Sequence, residues 1–106
     1  MITVENTEFM EVFGSSPLIK VLDFLMTYRE FDYSLSDIAK ESGSRKHSFF
    51  FRLVEKGIVK ETRQVGRAKL YKLNTDSPIA KNLIEINNLV TSKAVDDELK
   101  KQVEAE

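Results

Sequence analysis

The chain has only four glycines, and each stands where a patterned segment stops. Gly14, Gly43 and Gly57 follow runs of apolar residues at helical spacing, which marks them as helix ends. Gly66 instead separates two stretches, "IVKET" and "AKLYKL", that carry β-formers in alternation, so it marks a hairpin turn. Short helices followed by one hairpin and a last helix make a chain that is mainly α with a small β-hairpin, an α+β fold.

Cap signals sharpen the segments. Residues 4–13 place Phe9, Met10, Val12 and Phe13 at mostly helical spacing, which predicts a short helix or an ordered arm. Ser16 then offers an N-cap and Pro17 a first helical position where its missing N–H costs nothing. The dense apolar residues from Leu18 to Met26 make this a central, mostly buried helix. After a polar and aromatic break from Arg29 to Tyr33, "SLSDIAKESG" predicts a second helix with Ser36 as N-cap, Asp37 in the first turn and Ile38 and Ala39 inward. "SRKHSFFFRLVEKG" predicts a third, with Phe49, Phe50, Leu53 and Val54 on one face and Arg45, Lys46, Ser48 and Arg52 on the other. Three consecutive phenylalanines cannot share one helical face, so one ring is expected to point outward. Ser77 and Pro78 repeat the cap-and-proline start for a last helix, in which Ile79, Leu83, Ile86 and Val90 form a stripe. Beyond Thr91 the pattern weakens into a charged extension expected to fray.

Charge is segregated in a way the net value of -1 hides. Between Ser44 and Lys72 there are nine Lys/Arg and two acids, a local +7 that leaves -8 for the remainder. One basic face with acidic flanks is expected, the arrangement that meets a polyanion.

The order helix, helix, helix, strand, turn, strand, helix resembles the winged helix-turn-helix domain of prokaryotic, especially archaeal, transcription regulators. The resemblance covers roughly residues 9–90. It rests on "DIAKESG", with Ala39 and Gly43 four apart, on "LVEKGIVKE" leading out of a recognition helix, and on "GRAKLYKLN" as the returning wing strand. "GSRKHSFFF" departs from the pattern, being shorter by about one helical turn ahead of the recognition helix. The resemblance implies a helix-turn-helix domain over 15–77, flanked by an N-terminal helix or arm (1–14) and a C-terminal helix (78–106) that join two copies. It implies double-stranded DNA as partner. The candidate contacts are Arg45, Lys46, His47, Ser48 and Arg52 near the third helix and Arg63, Gln64, Arg67 and Lys69 on the hairpin. Phe9, Phe13, Ile79, Leu83, Ile86 and Val90 are the candidate homodimer interface.

Other classes find less support. No nucleophile motif, phosphate loop or catalytic carboxylate pair stands out, so no enzyme and no cofactor are expected. His47 is the only histidine and cysteine is absent, so no metal site is expected either. The lack of cysteines suits a reducing compartment, and with neither a signal peptide nor a membrane helix evident, the expectation is a cytoplasmic protein. An apolar share of 42% fits one folded domain. The alternative is a winged-helix protein-interaction module that does not read DNA sequence.

Overall fold

A computed structural model describes residues 6–43 and 48–105. Its elements are α1 (Glu8–Phe13), α2 (Pro17–Thr27), β1 (Tyr33–Ser34), α3 (Leu35–Ser42), α4 (Phe49–Glu55), β2 (Val59–Val65), β3 (Ala68–Leu73) and α5 (Pro78–Ala105). The strands form one antiparallel sheet in the order β1-β3-β2. Helices around a small antiparallel sheet give the expected α+β class.

Local chemistry explains most of the boundaries. The Thr7 hydroxyl accepts from the Met10 N–H at 3.2 Å and starts α1. Ser16 does the same for α2, accepting from Ile19, with Pro17 at the first position. Ser77 caps α5 through the Ala80 N–H. All four glycines hold positive φ, and no other described residue does. At Gly57 the need is clearest. The Ile58 N–H reaches back to the Leu53 carbonyl and the Gly57 N–H to that of Val54, a pattern that closes a helix only through a left-handed residue. At Gly66 the positive φ falls on the first of two turn residues between the paired Val65 and Ala68, as a type II′ hairpin turn requires.

Three sequence expectations are corrected here. Ser34, not Ser36, caps α3, its hydroxyl accepting from the Asp37 N–H at 3.1 Å. The reason is tertiary: Ser34 pairs with Leu70 as the end of β1, which holds it in the extended conformation a cap needs. That same β1 lies at the end of the stretch read as a break, because two residues show no alternation and exist as strand only through Tyr33 opposite Tyr71. Strand β2 also runs past "IVKET" to Val65, carrying an irregularity between Glu61 and Arg63.

The core lies between α2 and the inner face of β3. Val21, Leu22, Phe24, Leu25 and Met26 from α2 meet Tyr71 and Leu73 from β3, and Ile38, Phe50, Leu53, Val59 and Ala80 close the sides. Phe50 meets Tyr71 edge to face, ring centres 5.1 Å apart, and Phe24 meets Tyr33 at 4.9 Å. Buried polar Asp23 accepts from the Thr7 hydroxyl at 3.1 Å, tying α1 to α2. Burial pushes its carboxyl above the usual aspartate range, opposed by that hydrogen bond. The 28 residues of α5 span about 42 Å, which accounts for a longest dimension of 58 Å against 33 and 22 Å. No helix among the described residues is long and apolar enough to cross a membrane.

Candidate nucleic-acid interface

The two-turn α4 is positioned by burial of Phe50 and Leu53, with Phe49 and Val54 half-buried beside them. This leaves Ser48, Phe51, Arg52 and Glu55 on the outside. The ring expected to point outward is therefore Phe51, which is 58% exposed. Arg45, Lys46 and His47 lie outside the described residues.

The β2–β3 hairpin carries the other candidate residues, and its register sorts them. Val59, Tyr71 and Leu73 are buried, so the rows Val59–Leu73, Glu61–Tyr71 and Gln64–Lys69 lie on the helix side. Lys60–Lys72 and Arg63–Leu70 lie on the outer side. Residues 60 and 63 share a side although they are three apart, because Thr62 is an extra, bulged residue. The single basic face expected from the charge run is thus divided by the hairpin. Lys69 and Gln64 face the helices, while Lys60, Arg63 and Lys72 face away. Lys60 stands directly opposite Lys72, a like-charge pair that opposes strand pairing.

Arg63 is held in place. Its Nε donates to Asp32 Oδ2 at 3.0 Å and a terminal nitrogen to Oδ1 at 3.2 Å, while the Thr62 hydroxyl donates to the same carboxylate at 2.6 Å. The bulge is what lets two consecutive residues reach one carboxylate. Hydrogen bonds from Arg63 and then Thr62 hold Asp32 below the usual aspartate range. The fork-to-fork geometry fixes the guanidinium. Lys69 sits 3.9 Å from Glu61 with both side chains exposed, a weak pairing in water. The Gln64 side chain donates to the Gly66 carbonyl at 3.1 Å, steadying the turn. Among the described residues Arg67 and Arg52 have no ion-pair partner.

The candidate subunit surface also divides. Phe9 is 2% exposed and belongs to the chain's own core, where it supports the Phe13 ring from 5.0 Å, so it is not free to meet a partner. Leu83 packs against the core as well and Val90 is half-buried. Phe13, Ile79 and Ile86 are exposed, and so is Leu89, which the stripe did not include. Three residues escaped sequence reading: Asp32, Thr62 and Leu89. No signal in the local pattern pointed to the first two, since their role depends on a contact thirty residues apart along the chain.

Comparisons with family models, with curated proteins and with solved structures return no match.

Proposed function

We propose that this protein is a DNA-binding transcription regulator with a winged helix-turn-helix architecture, acting as a homodimer. The observation that carries the reading is the juxtaposition of α3, the Gly43 turn, α4 and a cationic hairpin whose tip presents Arg67 and Lys69 toward the α4 side. In this reading Ser48 and Arg52 on the outer side of α4 approach a major groove, and the hairpin lies along the phosphates as a wing. Arg63 orients the wing through Asp32. Phe13, Ile79, Ile86 and Leu89 join two copies, placing the two α4 helices on half-sites about 34 Å apart.

The test is binding of a random duplex across a salt series. Arg67→Ala/Lys69→Ala is expected to weaken binding alike on all sequences and to lower the slope of log K against log salt by about 1.8, two phosphate contacts at about 0.9 each. A duplex that fails to bind at low salt sinks the regulator reading. That result would favour a protein-interaction module, which the short α4 and its open Phe51 already suit.

A further inference from the structure

We infer that the groove between α3, α4 and the hairpin tip receives one unpaired nucleotide of DNA, its base against Phe51 and its phosphate between Arg67 and Lys69. This deepens the DNA-binding reading and rests on it. The groove is open, about 370 Å³ in volume, and lined by Ser34 and Ser36 at the start of α3, Phe51, Arg67, Lys69 and the buried Tyr71. That volume is at the small end of the roughly 300–1,000 Å³ of small-ligand sites, room for a nucleotide and not for a duplex.

Two properties of the lining select the ligand. The first is an aromatic ring that is open and yet fixed. Phe50 holds Phe51 at 6.2 Å with the rings at 88°, and Phe50 is itself held at 87° by Tyr71. A chain of perpendicular rings anchored in the core thus orients Phe51 while more than half its surface stays accessible. The second is the pair of cations across the groove, with Arg67 lacking any ion-pair partner among the described residues and Lys69 only loosely opposed by Glu61. A base offers a π-face, its phosphate an anion, and both arrive in one unit. In a duplex the base faces are covered by their stacking neighbours, so only an unpaired nucleotide presents both. Single-strand binders combine these elements, an aromatic platform beside a cationic track.

The chain has three tyrosines and no tryptophan, so Phe51→Trp introduces a sole tryptophan at the groove, whose emission is followed by selective excitation at the red edge where tyrosine does not absorb. A short oligothymidine is titrated against this variant, and anisotropy of the labelled oligonucleotide, single-stranded and as a matched duplex, is measured in parallel for the unaltered chain, Phe51→Ala and Phe51→Tyr. The expected results are quenching of the tryptophan by the single strand and single-strand affinity roughly 5- to 150-fold weaker for Phe51→Ala. Phe51→Tyr should retain affinity, and duplex affinity should change less than twofold. Arg67→Ala/Lys69→Ala should lower the single-strand salt slope by about 0.7, the value for the one phosphate held between them. Salt-dependent duplex binding together with single-strand affinity indifferent to Phe51→Ala overturns this inference alone. So does tryptophan emission that stays constant while anisotropy reports binding. Absence of binding to either form overturns the inference and the DNA-binding reading together, and preference for an acidic peptide over both would reassign the groove.

Discussion

Two aspartates show how far a single carboxylate's role depends on its surroundings. Asp23 is buried and its folded pKa is raised, so the folded state binds a proton more readily than the unfolded chain. Its contribution therefore falls as pH rises from about 3.9 through the folded value. Asp23→Asn keeps an acceptor for Thr7 and removes the charge. It is expected to stabilise the protein at pH 7, raising Tm, and to flatten the pH dependence in a thermal melt series. Asp32 has the opposite sign. Its folded pKa is lowered, so its contribution is present above about 3.9 and is lost as pH falls through the folded value. Because Arg63 is exposed while Asp32 is only half-buried, Asp32→Asn should lower Tm slightly. On the proposed DNA complex it should act differently: freeing Arg63 for phosphate should tighten duplex binding and steepen the salt slope by about 0.9. An unchanged slope would mean that Arg63 acts only in orienting the hairpin.

The elements show where local signals suffice and where they do not. Caps and glycines placed the starts of α2 and α5 and the ends of α1, α3 and α4, because each depends on hydrogen bonds within four or five residues. The start of α3 was missed for a reason visible in the sequence itself. "SLSD" contains two serines that are equally good caps, and the choice between them lies with Leu70, which pairs with Ser34. Ser34→Ala is expected to cost about 1 kcal/mol in chemical denaturation. Ser36→Ala should fall within about 0.5 kcal/mol of the unaltered chain. Equal losses would contradict the assigned cap. The bulge at Thr62 belongs to the same scale and was equally hidden, since no glycine or proline marks it and its effect is to bring Thr62 and Arg63 onto one distant carboxylate.

Taken as a whole, the molecule is extended by one helix. The first part of α5 uses Ala80, Leu83 and Ile84 to close the core, and the helix then continues to Ala105 with Leu89, Val95 and Leu99 exposed. The apolar stripe of Ile79, Leu83, Ile86 and Val90 does two jobs, its inner residues packing within the chain and its outer ones facing away. The proposed dimer is expected to elute at about twice the monomer mass in light-scattering chromatography. Ile86→Asp/Leu89→Asp should return it to monomer without lowering helical content, since both side chains are exposed. A monomer at high micromolar concentration in the unaltered chain would remove the two-half-site geometry and leave any DNA contact to a single α4.

What the sequence determined by itself was the α+β class, the identity of most of the helices, the outward turn of one phenylalanine and the concentration of positive charge between residues 44 and 72. These follow from short-range rules of spacing, capping and backbone freedom. The tertiary structure decided which cations face which side of the hairpin, that Arg63 is held by Asp32, and that Phe51, Arg67 and Lys69 line one groove. Those facts depend on strand register and on a bulge, and register is set by side chains meeting across the sheet and against the helices, so no local pattern could supply them.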